Sequence, residues 1–267
     1  MRISIGVTTY QRKKLSEWCI ASIYERTPRD AYELIVVDNG STDGTQKMLL
    51  SMKKEGIIDK VILNKENLYL GAAINQYYKA SSPSSQWLVA FSNDNFVMHG
   101  WFENFVEISK VLKADYIFCL LRPQAFHRKK YVMTKNGGVY LKKAKTWPPD
   151  RVLFGSGLAI KRSLVFKYKL WFLERKYSYI HGEERPVFAP YSQFLREVHN
   201  KNLKGYELGK PCALTQNCEF NNPKFKSYYM KVFKERDNLG RYEYLKERGY
   251  TRFPEKYFDG SDYEWKR

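Results

Sequence analysis

A single carboxylate at the end of an apolar run has the setting of a metal ligand. Asp94 lies in FSNDN (91–95), which follows the apolar segment QWLVAF (86–91). That segment predicts a buried strand, and small polar residues after such a strand form either a plain turn or one half of a metal site. Carboxylate oxygen favours hard divalent ions such as Mg²⁺ and Mn²⁺. Asp94 is therefore a candidate metal ligand, and its partners have to come from other parts of the chain.

Polar clusters also follow three other apolar runs. They are TTYQR (8–12), VDNGSTDGT (37–45) and NKENLYLGAAIN (64–75). Each cluster on its own is also ordinary turn and helix-capping chemistry. With SNDN (92–95) they make four clusters at the ends of consecutive predicted strands, and the carboxyl ends of parallel strands are where ligands bind. The sequence therefore predicts a shared ligand site at that edge of a sheet.

The elements that must position these clusters alternate between strand and helix patterns. Strands are predicted over 2–9, 32–38, 58–64, 86–91 and 114–121, and helices over 14–25, 43–54, 71–81 and 101–112. Alternation with short links gives right-handed crossovers and a mostly parallel sheet. The first 120 residues therefore predict an α/β fold.

The chain changes character after residue 121 and becomes strongly basic. Between Arg122 and Lys176 there are 15 Lys or Arg residues against two acids, in a chain of net charge +18. This concentration favours a polyanionic partner, which could be nucleic acid, an anionic membrane surface or a charged glycan. Asn-Gly-Gly at 136–138 predicts a hairpin or a flexible excursion, and 187–204 and 224–248 have helical patterns rich in aromatic and basic residues.

Composition indicates a folded protein without a membrane span. Apolar residues make up 43% and aromatic residues 16% of the chain, as in globular proteins. No apolar run approaches the roughly 20 residues of a membrane helix, and MRISIGVTTY opens a strand pattern instead of a signal peptide. The cysteines lack zinc-ligand spacing and predict reduced thiols; they are Cys19, Cys119, Cys212 and Cys218. We expect a cytoplasmic protein, soluble or peripheral to a membrane, and the sequence leaves its oligomeric state open.

The combined motifs resemble those of a known enzyme family. VTTYQR, VVDNGSTDGT, NLYLGAAIN and FSNDNFVMHGWFENF have the order and spacing of the GT-A glycosyltransferases of family 2, across about the first 110 residues. LFGSGLAIKRSLV (153–165) resembles the next block of the family, a Gly-rich strand that leads into a helix. The resemblance implies a GT-A (Rossmann-like) α/β fold, a mostly parallel sheet flanked by helices. It also implies a hexosyltransferase that moves a sugar from a nucleotide donor to a hydroxyl acceptor with inversion.

The resemblance assigns donor binding to residues at the predicted strand ends. Among them, Asp38 would accept a hydrogen bond from the N3–H of uracil, and thymine offers the same donor. A UDP-sugar is therefore the favoured donor, with a thymidine-linked one as the alternative. Gly71 would allow close backbone approach to the ribose. The implied donor-binding residues are Thr8, Tyr10, Arg12, Asp38, Asn67, Gly71, Asn75 and Asn93.

The same resemblance gives Asp94 a metal role. Asp94 would hold Mn²⁺ or Mg²⁺ against the donor diphosphate, where the ion neutralises charge on the leaving group. The Asp-x-Asp motif of the family is here Ser92-Asn93-Asp94, so its first acid is missing. Relatives often add a metal-binding His downstream, and ALTQNCEF (213–220) contains none. The metal site is thus expected to depend on one carboxylate.

The general base is expected in YIHGEERP (179–186). In the family a Glu-Asp pair at the start of a helix supplies the carboxylate that removes the proton of the acceptor hydroxyl. Glu183 and Glu184 are the candidates here, and the helix that should follow is predicted only over 191–201. The alternative interpretation is a charged pair in an exposed loop. Which of the two acids would act stays open.

We predict that residues 1–121 form the nucleotide-sugar half of one GT-A domain and 122–220 its acceptor half. Residues 221–267 are predicted to be a basic, aromatic helical extension. One hypothesis for the acceptor is an envelope or capsule glycan, or a glycolipid, reached through polysaccharide biosynthesis at an anionic membrane. A second is a hydroxymethylated pyrimidine in DNA, flipped from the duplex in a virus-type DNA modification. A third hypothesis is a non-catalytic protein that binds nucleotide-sugars.

Overall fold

Buried strands alternate with helices along the chain, as the sequence pattern predicts. The computed structural model describes residues 1–93, 95–97, 99–119, 131–134, 139–141, 157–174, 177–180, 183–186, 194, 197–198, 200–207 and 213–215. Asp94 and the predicted extension over 221–267 lie outside the described residues.

The bounds of the helices and strands follow the chain order. The strands are β1 Ile3–Thr9, β2 Tyr32–Asp38, β3 Lys60–Leu63, β4 Trp87–Ser92, β5 Asn95–Val97, β6 Tyr116–Phe118, β7 Tyr131–Met133, β8 Val139–Leu141, β9 Leu158–Lys161, β10 Tyr177–Ile180, β11 Glu183–Pro186, β12 Gly205–Glu207 and β13 Ala213–Thr215. The helices are α1 Lys13–Arg26, α2 Thr45–Lys54, α3 Tyr69–Ala80, α4 Trp101–Val111 and α5 Arg162–Tyr168, with a short 3₁₀ turn at Arg29–Ala31.

A seven-stranded sheet forms the centre of the molecule, in the order β12-β6-β9-β4-β1-β2-β3. β1 pairs in parallel with β2 and β4, and β2 pairs in parallel with β3. β9 is antiparallel to both of its neighbours, β4 and β6. The register sets Thr9 opposite Asp38 and Thr8 opposite Ser92. The four strands β1 to β4 therefore end together, and we call this side of the sheet the carboxyl edge.

Helices cover both faces of the sheet, which explains why its strands are continuously apolar. Alternate residues of β1, β2 and β4 pack against α1, α2 and α4 in one core. The other residues of β2 and β4 pack with α3 and α5 in a second core on the opposite face. On that face Gly6 admits the ring of Tyr77, because a Cβ at Gly6 would overlap it. The predicted mostly parallel, helix-flanked α/β sheet is confirmed.

The local predictions agree closely with these bounds. β2 has the predicted ends, and α1, α2 and α4 begin or end within two residues of the prediction. For the segment around Asn-Gly-Gly a hairpin or a flexible excursion is predicted; β7 and β8 on either side of it pair antiparallel, and residues 136–138 themselves lie outside the described residues. The residues before and after residue 121 share one sheet, since β9 and β12 flank β6. No helix in the described part of the chain combines the length and the apolar character needed to cross a membrane.

Candidate functional site

Two loops at the carboxyl edge are joined into one unit. The loop after β1 contains Gln11, whose N–H donates to Ser41 Oγ over 2.7 Å. The side chain of Gln11 also donates to Thr42 Oγ1 over 3.2 Å and accepts from Thr42 N–H over 3.3 Å. Gln11 and Arg12 both have left-handed backbones, with φ of 54° and 61°. Non-glycine residues adopt this conformation at an energetic cost, and the bonds between the loops hold it in place.

Asp43 fixes the first turns of two helices at the same edge. Its Oδ2 accepts from the N–H of Lys13, the first residue of α1, over 2.8 Å. Its Oδ1 accepts from the N–H and hydroxyl of Thr45, the first residue of α2, over 3.1 and 2.5 Å. A negative charge beside two helix N-termini is favourable because both helix dipoles point their positive ends towards it. This explains why α2 begins at Thr45 and not at Asp43.

Asp38 lies beneath the joined loops and is fully buried. Among the described residues, Oδ2 accepts from the hydroxyls of Thr9 and Ser41 over 2.8 and 2.5 Å. Oδ1 accepts from Ser41 N–H over 2.8 Å and from Gln46 Nε2 over 2.9 Å. A carboxylate offers about four lone-pair sites. A nucleobase N–H can therefore reach Asp38 only if one of these donors turns away.

Thr8 offers a hydroxyl that the described part of the chain does not use. Its side chain is only 8% exposed, and Oγ1 has no hydrogen-bond partner there. A buried hydroxyl without a partner costs about 1–3 kcal/mol, and such a cost is typical of functional sites. Thr8 stands directly opposite Ser92 in the sheet. The hydroxyl therefore lies in the strand position next to the stretch that contains Asp94.

Asn93 ties that stretch to the first loop. Its N–H donates to the carbonyl of Thr8 over 3.2 Å. Its side-chain Nδ2 donates to Ser16 Oγ over 3.0 Å and to the carbonyl of Gln11 over 3.3 Å. Tyr10, the next predicted donor residue in that loop, is half-buried. Thr8, Tyr10, Arg12, Asp38 and Asn93 are thus brought together at the carboxyl edge.

The other predicted donor residues lie on and before α3 and contact protein. Asn67 accepts from the N–H of Tyr69 over 2.8 Å and so fixes the start of the helix. A Cβ at Gly71 would overlap the carbonyl oxygen of Leu173. Asn75 is buried and pairs with the backbone of Phe172, accepting its N–H over 2.9 Å and donating to its carbonyl over 2.8 Å. Gly71 and Asn75 therefore hold the segment after α5 against α3.

A chain of side-chain amides links the second and third loops, and sequence reasoning missed it. Asn39 accepts from Asn64 Nδ2 over 3.0 Å, and Asn64 and Gln76 exchange two hydrogen bonds of 2.9 Å. Asn39 also donates to the carbonyl of Tyr69 over 3.3 Å. The signal that could have revealed this link is the presence of an amide in each polar cluster.

The described residues on either side of Asp94 in the chain are Asn93 and Asn95. Asn95, the next residue, is buried and accepts from Ser92 N–H over 2.9 Å. β5 pairs with β13, which sets Thr215 opposite Asn95. The described residues contain no group of three or more His, Cys, Asp or Glu that could hold a metal. Ser92, Asn93 and Asn95 carry oxygen atoms and no thiol, a chemistry that would suit Mg²⁺ or Mn²⁺ and not a thiolate-bound metal.

Glu183 and Glu184 lie in a strand. β11 pairs antiparallel with β10, with Glu183 opposite Ile180 and Glu184 opposite Tyr179. In relatives the pair begins a helix, whereas here the helix is predicted only over 191–201 and the alternative interpretation is an exposed loop; the backbone of Glu183–Pro186 is an extended strand. Helical residues follow at 194 and 197–198, inside the predicted helix over 191–201.

Comparison with known proteins defines the class of this molecule. Residues 4–168 match the family described as Glycosyl transferase family 2. These residues are more than half of the chain, so the chain belongs to this family of glycosyltransferases. No curated protein matches the sequence.

Solved structures share the fold at low sequence identity. TarS 1–349 of S. aureus has a TM-score of 0.60 and 16% identity, and the match covers 82% of this chain and 61% of TarS 1–349. The mannosyltransferase PcManGT of Pyrobaculum calidifontis, in complex with GDP-Man and Mn²⁺, has a TM-score of 0.57 and 18% identity, with 80% and 56% covered. GalNAc-T7 with UDP, GalNAc and Mn²⁺ has a TM-score of 0.57 and 15% identity, with 80% and 43% covered. The fold is thus GT-A, and the chain spans about half the length of these proteins.

Proposed function

We propose that the protein transfers a sugar from a UDP-sugar to a hydroxyl acceptor, with inversion at the anomeric carbon and with a divalent metal. The observation that carries the proposal is the meeting of the family motifs at one edge, where two loops are joined around buried Asp38. TarS has been solved with UDP and with UDP-GlcNAc, which favours a uridine donor. A thymidine-linked donor is the alternative.

The donor pocket is proposed to lie between the joined loops and β4. Thr8, Tyr10 and Arg12 would line it, and the Thr8 hydroxyl, which has no partner among the described residues, would be available for a hydrogen bond. Asp38 would accept the N3–H of uracil after one of its two hydroxyl donors, Thr9 or Ser41, turns away, since a hydroxyl hydrogen rotates about a single C–O bond. Asn67, Gly71 and Asn75 would then act by positioning α3 and the segment packed on it, and not by touching the donor.

Asp94 is proposed to hold Mn²⁺ or Mg²⁺. When bound, the ion would neutralise the charge that develops on the leaving diphosphate. Asn93 would support Asp94 from the next position, because its side chain already fixes this stretch to Ser16 and Gln11. With Ser92 in place of the first acid of the family motif, the metal affinity would depend on one carboxylate.

Glu183 or Glu184 is proposed to remove the proton of the acceptor hydroxyl as it attacks the anomeric carbon. Consecutive positions of a strand belong to opposite faces, so the two acids are expected to differ in function. The sugar becomes bonded to the acceptor oxygen, the proton passes to the carboxylate, and the nucleoside diphosphate leaves with the electron pair of the broken bond.

The acceptor is proposed to be an envelope or capsule glycan or a glycolipid, with hydroxymethylated pyrimidine DNA as the alternative. The basic charge of the segment from Arg122 to Lys176 supports either polyanion. The deciding experiment incubates the full chain with labelled UDP-glucose and Mn²⁺, once with a membrane extract and once with hydroxymethylated DNA. Label in the membrane extract supports the first acceptor, and label in DNA supports the second.

The chemistry is tested with three variants under the same conditions. Asp94→Ala should abolish metal-dependent transfer while the thermal melt stays unchanged. Only one of Glu183→Gln and Glu184→Gln should lose turnover, and that variant should still bind UDP. If the unsubstituted protein binds UDP but neither transfers nor hydrolyses the sugar of the UDP-sugar, the result would instead support a non-catalytic binding protein. Full turnover in Asp94→Ala would contradict the metal role.

A further inference from the structure

Helix α5 and the residue Trp171 carry a surface of cations and aromatic rings. We call this surface the α5 patch and define it by Lys79, Arg162, Phe166, Lys167, Trp171 and Lys201. The guanidinium of Arg162 lies 4.2 Å from the centre of the Phe166 ring, and Lys79 Nζ lies 5.6 Å from that of Trp171. Phe166 and Trp171 meet edge to face at 5.4 Å. The cations and rings therefore form one continuous surface.

The patch is exposed and positively charged. Phe166, a large apolar side chain, is 37% exposed, although most such residues of the described chain are buried. Lys167 and Lys201 are exposed and stand 5.1 and 5.7 Å from the ring of Tyr168. Among the described residues, Glu174 lies 4.0 Å from Lys79 Nζ, and Glu197 lies one helical turn before Lys201. Four cations against these two acids leave the patch with a net positive charge.

The patch lies away from the donor site. β9 is antiparallel to β4, with Lys161 opposite Trp87, the first residue of β4. α5 follows directly after Lys161 and so begins at the amino edge of the parallel strands. The donor motifs stand at the opposite, carboxyl edge. A ligand bound at the α5 patch would therefore hold the protein at a surface without occupying the donor site.

We propose that the α5 patch docks the protein on an anionic lipid surface. Phe166 is exposed beside these cations, with Trp171 half-buried next to it. This arrangement suits the interface of a membrane, where an aromatic ring enters the headgroup region and the cations meet anionic headgroups. Single-stranded nucleic acid is disfavoured, because base stacking needs an open ring face. Here one cation of the chain lies over the ring of Phe166 and one over that of Trp171, and two lie over that of Tyr168.

Vesicle sedimentation with the full chain tests this proposal. The protein should bind vesicles of phosphatidylcholine mixed with phosphatidylglycerol, and should not bind phosphatidylcholine alone. Lys167→Glu together with Lys201→Glu should weaken binding by about 25-fold or more, since each basic residue near an anionic leaflet contributes about fivefold. Phe166→Ser should also weaken binding, because it removes the apolar anchor and keeps the charge.

A matched control carries the same change of charge on the other face of the sheet. Lys53→Glu together with Lys54→Glu alters two exposed residues at the end of α2, and it should bind the anionic vesicles as the original chain does. Equal losses in both double variants would overturn the proposal, because net charge alone would then explain binding. Retention of a single-stranded oligonucleotide by the original chain, with no retention of vesicles, would overturn it in favour of nucleic acid. UDP release should be equal in all variants, so the result is independent of the transfer reaction.

Discussion

At the scale of single residues, Asp38 is a motif carboxylate whose hydrogen bonds stabilise the fold, apart from the donor-binding role proposed for it. Its four hydrogen bonds come from β1, the second loop and α2. These bonds give residues of the loop VDNGSTDGT a structural function: Ser41 supplies two donors to Asp38, and Asp43 fixes the first turns of two helices. The proposed ligand contact of Asp38 would come in addition to this function.

Asp38→Asn should therefore lower the free energy of unfolding even without ligand. The amide replaces one acceptor oxygen with an NH₂ group, which cannot accept the hydrogen bonds that this oxygen receives. Hydrogen bonds to a charged group contribute about 1.5–3 kcal/mol each. We expect a loss of about 2–4 kcal/mol in urea unfolding, together with loss of UDP binding. Asp30→Asn, at an exposed aspartate, is the control and should change neither. A variant at position 38 that is as stable as the control, yet fails to bind UDP, would leave Asp38 with a ligand role alone.

At the scale of the elements, α3 is defined by the segment that packs on it. Asn75 and Phe172 are 97 residues apart in the chain, and their two hydrogen bonds attach an irregular segment to the helix. Phe172 also stacks on Phe194 with ring centres 4.2 Å apart. Helix α3 thus has two functions. It carries a family motif, and it packs against the segment Phe172–Leu173 from the second half of the chain.

Gly71→Ala should separate these two roles of α3. If the space at Gly71 were open for a ligand, alanine would stabilise the helix by about 1 kcal/mol, because glycine is a poor helix former. A Cβ would overlap the carbonyl oxygen of Leu173, so we expect destabilisation by about 2 kcal/mol from overpacking. Thermal melts measured with and without UDP decide between the two. An increase in Tm with weaker UDP binding would contradict the packing role.

Glu33 joins elements at the amino edge of the sheet. Its carboxylate accepts from Ser4 Oγ over 2.5 Å, from Ser82 N–H and from Lys60 Nζ over 3.0 Å. Burial alone would raise the pKa of Glu33, but these hydrogen bonds and the charge of Lys60 together lower the pKa below its ordinary value. The folded state therefore favours the ionised form of this carboxyl.

Stability should depend on pH through Glu33. The pKa is lower in the folded than in the unfolded chain, so the stabilisation is complete above the unfolded pKa and is lost as pH falls through the folded pKa. We expect urea midpoints to fall between about pH 6 and about pH 3. Glu33→Gln should reduce the decrease of the urea midpoint with falling pH. Glu25→Gln, at an exposed position of α1, should leave that decrease unchanged. Equal pH profiles for all three proteins would rule out the contribution of Glu33.

The strands and helices also show how much of the structure could be predicted from the sequence. β2 and α4 were predicted closely because hydrophobic periodicity is a local property. The two joined loops were predicted as polar clusters. The hydrogen bonds between them, such as that of Gln11 with Thr42, could not be predicted, because they depend on the register of two strands. The contact of Asn75 with Phe172 could not be predicted, because nothing local links positions so far apart. No strand was predicted at Glu183 and Glu184, because the strand pairing that they adopt depends on a partner segment.

At the scale of the whole molecule, the two predicted halves form one sheet. β6 belongs to residues 1–121, but both of its neighbours, β9 and β12, come from residues 122–220. The core between α3 and the sheet likewise includes Val165, Phe172 and Phe194 from the second half. Packing of this kind makes each half depend on the other for its stability.

A fragment of residues 1–121 should therefore fail to fold cooperatively. It keeps the family motifs but leaves β6 without a neighbouring strand and uncovers the α3 face, and exposed apolar surface of this kind is typical of loosely packed states. We expect broad, non-cooperative thermal unfolding and binding of a hydrophobic dye. The fragment 1–220, which keeps all strands described here, should unfold in a single transition and bind UDP. Cooperative unfolding of the shorter fragment would mean that the nucleotide half is a domain in its own right, with the second half added to a core that is already complete.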